Sequence, residues 1–258
     1  MSNEVLSTQE GWNRLAKFYT EFRELDGKFN KEDKARYGEY PYMNMLMRQE
    51  TVTDKTILDV GCGYGFYSFI AERLGARKVI GVDFSEEMIK QAVEFKKRKD
   101  SSVNFTLGAV EHLPFASESF DMVISGIALN LNDFNVGCTE LQRVLRRNGS
   151  IIFSVPHPIG SHGKYNDIGE FTLGGYFIRK EHVEEWHDEL GNPVQFVRGN
   201  RTIEDYSEGL YNNGFAIVRL FESKPIISPD NNDQALVNEM MGVPDYLIIL
   251  ARRLNPSV

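Results

Sequence analysis

Cysteine is scarce in this chain: two residues in 258, Cys62 and Cys138, neither part of a C-x-x-C pair. A disulfide scaffold and a thiolate zinc site are therefore not expected, and the usage fits a reducing compartment. No apolar run approaches the ~20 residues that cross a bilayer. The opening segment MSNEVLSTQEGW has no basic stretch leading into an apolar one, so it does not read as a secretory signal. A basic excess is missing too. Acidic residues number 37 against 29 basic, a net charge of -8, which argues against broad contact with nucleic acid or an anionic membrane. The expectation is a cytoplasmic protein without a nucleic-acid or membrane partner, monomeric or homodimeric.

What is present is an alternation. KTILDVG (55–61) is a short apolar, β-branched run ending in glycine, and YGFYSFIAERLG follows with helical spacing and a C-capping Gly75. KVIGVD (78–83) is a second strand. Ser85 then caps a helix that carries Glu86 and Glu87 in its first turn and KKRK (96–99) in its last, charges that suit the helix dipole. NFTLGA (104–109), FDMVISGIAL (120–129) and SIIFSV (150–155) continue the series. A helix over 136–147, with Gly149 as C-cap, lies between the last two. Strands and helices joined by short connections predict a mainly parallel sheet covered on both faces.

The rhythm fails at both ends. Residues 1–50 read as a helical cap dense in aromatics, among them Trp12, Tyr19, Tyr37 and Tyr40. The remainder, 51–258, reads as the main domain. Residues 156–200 are too long for an ordinary connection, and long insertions at strand ends are a usual place for function. They contain HPIGSH, two β-like runs and the acidic stretch EHVEEWHDE. A helix over IEDYSEGLYNNGF, closed by Gly214, and strands at 215–222 and 245–253 complete the chain. A short helix is expected around Ala235–Met241.

ILDVGCGYG carries the chemistry. Its glycines at 61, 63 and 65 lack the third position of a dinucleotide fingerprint, where Phe66 stands, and there is no GK[ST] of a phosphate loop. Asp59 would repel a pyrophosphate but favours a cationic ligand. Asp83, at the end of the second strand, is placed to accept both hydroxyls of a ribose. A nucleoside with a positive centre and no phosphates fits these residues, and S-adenosylmethionine (SAM) is one.

ILDVGCGYG, GVDFSEEMI, GAVEHLPFASESFDMVIS and ELQRVLRRNGSIIFSVPHP resemble the successive motifs of class I SAM-dependent methyltransferases, in the small-molecule branch with an N-terminal helical cap. The resemblance covers residues 12–155 well. It implies a Rossmann-like, doubly wound sheet of seven strands in the order 3-2-1-4-5-7-6, mostly parallel with the last strand antiparallel, and SAM as cofactor, leaving S-adenosylhomocysteine (SAH) as product. It also implies cofactor contacts. Asp59, Gly61 and Gly63 match the turn, Asp83 the ribose acid and Phe84 the residue beside adenine. Ala109 and Val110 fall at the adenine loop, where Ala109 replaces the family's usual acid. Ser125 falls near the methionine end, and Tyr19 of the cap is placed against the cofactor.

On the acceptor side, no [DN]PP[FY] follows the fourth strand and no acidic metal cluster follows the fourth and fifth, so base N-methylation and magnesium-dependent chemistry are disfavoured. His157, just past the fifth strand, is either a general base or a residue that orders the Pro156–Pro158 turn. Tyr37, Tyr176 and Arg201 join His157 as acceptor-binding candidates. The expected activity is methyl transfer to an oxygen or nitrogen of a small molecule. RNA or protein methylation, and SAM binding without catalysis, are the alternatives.

Overall fold

The computed structural model describes residues 5–25, 38–129, 133–166, 171–178, 182–223 and 242–254. Tyr37 and the helix expected around Ala235–Met241 lie outside them.

In chain order the elements are β1 (Val5–Leu6), α1 (Thr8–Leu25), α2 (Tyr40–Gln49), β2 (Thr56–Val60), α3 (Phe66–Arg73), β3 (Lys78–Asp83), α4 (Glu86–Lys99), β4 (Asn104–Leu107) and β5 (Phe120–Gly126). They continue with α5 (Phe134–Val144), β6 (Leu145–Pro156), α6 (Pro158–His162), β7 (Gly163–Tyr165), β8 (Phe171–Leu173), β9 (His182–His187), β10 (Pro193–Arg198), α7 (Ile203–Asn212), β11 (Phe215–Glu222) and β12 (Tyr246–Arg253).

Seven strands form one sheet in the order β11-β12-β6-β5-β2-β3-β4. The strands from β4 to β6 pair in parallel, whereas β12 runs antiparallel to both β6 and β11. This is the order and the single reversed strand that the motifs implied. The alternation of side chains along each strand divides the core. Leu58, Val60, Leu247, Ile249 and Ala251 face α5 and α7, while Ile57, Ile248 and Leu250 face α2 and α3. Both faces are therefore dry, as a sheet buried between helix layers requires.

Ser85 caps α4, its Oγ accepting from the Met88 N–H at 3.2 Å, and the acids of the first turn and bases of the last lie where they were read. Gly75 follows α3 in the left-handed conformation. The helix expected over 136–147 is displaced. It ends at Val144, and Gly149 lies inside β6 rather than capping a helix. The reason is pairing: Leu145 is already extended, at ψ 141°, and lies opposite Phe120.

The N-terminal segment is more than a set of helices. Val5 and Leu6 pair in parallel with Gln195 and Phe196, so β1 joins the insertion's β9–β10 hairpin in a three-stranded sheet. Leu15 packs with Val194 and Phe196, and Arg14 holds the buried Asp188 of the hairpin turn at 3.1 Å. Within the acidic EHVEEWHDE stretch, His182–His187 form β9 and Asp188 and Glu189 enter that turn.

Candidate functional site

The turn after β2 is built by backbone. Cys62 N–H donates to Val82 O at 3.0 Å and Gly65 N–H to Cys62 O at 2.8 Å, which folds the chain tightly against β3. Two glycines serve different needs. Gly61 has φ +63°, and a Cβ there would lie 2.1 Å from the Ala128 Cβ, so the loop leaving β5 excludes any side chain. Gly63 has φ +52°, and its Cβ would meet only Met88 Sδ at 4.0 Å. Space is open above it, where a ligand can approach the backbone.

Asp83 closes the turn from the next strand. Its Oδ2 accepts from Gly63 N–H and its Oδ1 from Ser85 N–H, both at 2.9 Å. Each oxygen keeps a further lone pair for a ligand hydroxyl. Burial pushes this carboxyl up to about 6, opposed by the N–H groups of Ser85, Gly63 and Phe84. Asp59 lies deeper, 1% exposed, with Ser68 Oγ of α3 donating to it at 2.6 Å. Burial pushes it up to about 7. The sequence placed Asp59 toward the ligand; in the structure it braces α3 beneath the turn. Ser125 is likewise internal, donating through Oγ to Val60 O at 2.8 Å and tying β5 to β2.

The adenine-side candidates lie along the same edge. α1 reaches Phe84 and Ser85 directly: Gln9 Nε2 donates to Phe84 O at 2.7 Å, and Ser85 Oγ donates to Asn13 Oδ1 at 2.7 Å. The loop after β4 is fixed by Gly108 N–H donating to Asp83 O at 2.9 Å. Val110 is buried in the core and Ala109 is half-buried beside it. Tyr19 meets Trp12 edge-on, with centroids 5.3 Å apart, and Trp186 of β9 at 6.0 Å.

Ile127 was not singled out in the sequence, and no local pattern marks it. It is a β-branched residue at φ +62°, directly after β5. Its N–H is held by Ser154 O at 3.0 Å and Ser154 Oγ at 3.1 Å. Such a conformation costs on the order of 1–3 kcal/mol and persists where neighbours impose it. Here it swings Ala128 over Gly61.

His157 is fully buried. Its Nδ1 accepts from Ile159 N–H at 3.2 Å, which caps α6, and its Nε2 lies 3.0 Å from Glu222 Oε1. An Nδ1 that accepts leaves the proton on Nε2, donated to the carboxylate. Burial lowers the pKa of this ring despite Glu222. Both nitrogens are engaged, so no lone pair faces an acceptor. Of the two roles open for His157, this geometry fits the residue that orders the turn and joins β6 to β11, not the general base.

Tyr176 meets the start of α7, the helix that Arg201 precedes in the chain. The Tyr176 hydroxyl accepts from Ile203 N–H at 3.1 Å, at the start of α7, two residues after Arg201. Arg201 lies 5.8 Å from the centre of the Phe134 ring at the start of α5. Among the described residues no group of three or more His, Cys, Asp or Glu could hold a metal ion, and no helix is long and apolar enough to cross a membrane.

Fold and turn together define a Rossmann-like protein whose glycine turn is closed by a buried acid at the end of β3 and lacks the GK[ST] of a phosphate loop. A family model described as a methyltransferase domain matches residues 58–153. A demethylmenaquinone methyltransferase from Listeria monocytogenes is 32% identical over 184 residues, 67% of this chain and 74% of that protein. The crystal structure of a SAM-dependent methyltransferase from Mesorhizobium loti superposes with a TM-score of 0.70 at 26% identity, covering 83% of this chain and 97% of the other. The chain belongs to the class I SAM-dependent methyltransferases. Its match to the malonyl-[acyl-carrier protein] O-methyltransferase of Hamiltonella defensa, 36% identical over 111 residues, spans 43% of this chain and 41% of that enzyme.

Proposed function

We propose that this protein transfers the methyl group of SAM to an oxygen or nitrogen of a small-molecule acceptor. One observation carries the cofactor half: an open Gly63 beside a buried Asp83 whose two oxygens are held apart by backbone N–H groups. That arrangement fits a nucleoside lying on the turn. Asp83 accepts from the ribose hydroxyls, and the Gly61–Gly63 backbone lets the ligand close in. Phe84, Ala109 and Val110 border adenine, and Ser125 braces the floor under the methionine end. Asp59 acts through its charge from beneath, and Tyr19 through the aromatic cluster that keeps α1 over this edge. When bound, SAM supplies an electrophilic methyl group on a sulfonium. The chain's task is then to orient an acceptor and to exclude water.

Support for a small acceptor comes from the net charge of -8, which disfavours nucleic acid, and from the aromatic and cationic residues gathered at the acceptor end, Tyr176 and Arg201 among them. In the relatives' names the acceptors are demethylmenaquinone and malonyl-[acyl-carrier protein]. Calorimetric titration tests the cofactor half: SAH is expected to bind more tightly than NAD, and the reverse order defeats the reading. Incubation with methyl-labelled SAM and metabolite pools, with the label followed into low-molecular-weight product, tests the transfer.

A further inference from the structure

At the acceptor end, two buried polar atoms lack a hydrogen-bond partner among the described residues: His162 Nε2 and Arg201 Nη1. Both come from the carboxyl edge of the sheet. His162 ends α6, the single turn that leaves β6, and Arg201 stands just before α7. Tyr176 touches both neighbourhoods. Its ring meets His162 edge-on at 5.4 Å, and its hydroxyl takes the Ile203 N–H.

The two atoms differ in polarity. His162 Nδ1 lies 2.6 Å from Pro158 O, a carbonyl that can only accept, so Nδ1 carries the proton and Nε2 presents a lone pair. Arg201 Nη1 can only donate. The guanidinium is held by the Tyr206 hydroxyl and stands near Asp133 and Cys138, and burial lowers its pKa. It makes no ion pair among the described residues, and Asp133 uses Oδ1 to cap α5 through Val136 N–H at 3.1 Å. Both side chains are half-buried, but the open donor of the cation and the open acceptor of the imidazole are themselves shut off from solvent, which is costly for each unless a ligand completes them.

Resting on the methyl-transfer reading, we infer that the acceptor is a small carboxylic acid bearing a hydroxyl or amino group: its carboxylate binds Arg201 Nη1, and its O–H or N–H donates to His162 Nε2. In the reaction the oxygen or nitrogen forms its bond to the methyl carbon as the methyl–sulfur bond of SAM breaks, the electron pair of that bond returns to sulfur and SAH leaves, while His162 Nε2 takes the acceptor's proton. The imidazole becomes imidazolium and no redox partner is needed. His162 then has the part that the position of His157 suggested.

Nuclear magnetic resonance on protein labelled with ¹⁵N at arginine and histidine tests this with three probes: 4-hydroxybenzoate, its methyl ester and benzoate. The acid is expected to shift the Arg201 side chain and His162 Nε2 saturably, and the ester to bind about tenfold more weakly or worse, through loss of a charge-assisted pair. Benzoate is expected to move Arg201 but leave His162 Nε2 unchanged. R201Q should abolish the preference for acid over ester; the wild-type shifts stand as evidence if that variant fails to fold. Equal binding of acid and ester, or no saturable shift at either residue with any probe, overturns the inference. Titrating the same samples with SAH separates the outcomes. SAH binding without a probe response defeats the carboxylate subsite alone, and a probe response without SAH binding defeats the methyl-transfer reading.

Discussion

The turn around Gly61–Gly63 and the cluster around Arg201 occupy one edge of one sheet, yet they are built differently. The turn is satisfied within itself: both oxygens of Asp83, Ser68 and the Cys62 N–H all have protein partners, so its shape is set before any ligand arrives. The residues around Arg201 come from a one-turn helix, the segment after β8 and the lead-in to α7, and they leave polar atoms open. A preformed backbone cradle suits a ligand shared by many acceptors' enzymes, whereas side chains on an insertion can change with the acceptor. The first region predicts what is common to the family, and the second what is particular to this chain.

That contrast can be broken at several points. The largest effect is expected at Gly61. Gly61→Ala puts a Cβ into the Ala128 Cβ at a positive φ, and about 2–5 kcal/mol of stability should be lost in denaturant unfolding. Gly63→Ala carries the strain of its positive φ, about 1–2 kcal/mol, but has open space above it, so it should lose less stability than Gly61→Ala and lose SAH affinity as well. Equal destabilisation of the two variants would mean that Gly63 is structural as well.

A smaller loss, on the order of 1–3 kcal/mol, is expected for His157→Ala, which removes the cap on Ile159 N–H and the bond to Glu222. Thermal unfolding should report it while SAH affinity stays near wild type. If stability is untouched and turnover alone collapses, the general-base role returns to His157.

The acids of the turn set a pH dependence. Their folded pKa values, about 7 for Asp59 and about 6 for Asp83, lie above the ordinary value of 3.8. The folded protein therefore binds more protons than the unfolded chain, and these groups' contribution to stability falls as pH rises from about 4 through 7. Ligand binding works the other way, because in the proposed complex the ionised Asp83 accepts from the ribose hydroxyls. SAH affinity should rise between pH 5 and pH 8. A flat profile would mean that the ligand does not meet the Asp83 carboxylate.

The smallest effect is expected at α1. Its hydrogen bonds to Phe84 and Ser85 set it against the end of β3, while Trp12, Leu15 and Arg14 tie it to β9–β10. SAH should increase hydrogen-exchange protection over Thr8–Thr20. Equal protection with and without SAH would make α1 a static packing layer.

Most of the sheet was legible in the sequence because each strand and helix announces itself locally. The β-branched run before Gly61, Ser85 with its two acids, and the apolar stretch of β12 needed no distant partner to be read. Asp83 was legible for the same reason, standing at a strand end a fixed distance from the glycines. What escaped depends on chain segments far apart. The pairing of Val5 with Gln195 has no local signature, and Gly149 belongs to β6 only because Leu145 finds Phe120. HPIGSH showed two histidines, but which of them keeps a free nitrogen is decided by Glu222 at the end of β11 and by the Pro158 carbonyl.

The central claim is that the Gly63–Asp83 pair holds a nucleoside, and calorimetric titration of wild type and Asp83→Ala with SAH tests it most directly. The account predicts saturable SAH binding to wild type and a loss of about 1.5–3 kcal/mol, roughly tenfold to a hundredfold, in a folded Asp83→Ala protein. Unchanged SAH affinity in that variant would contradict it.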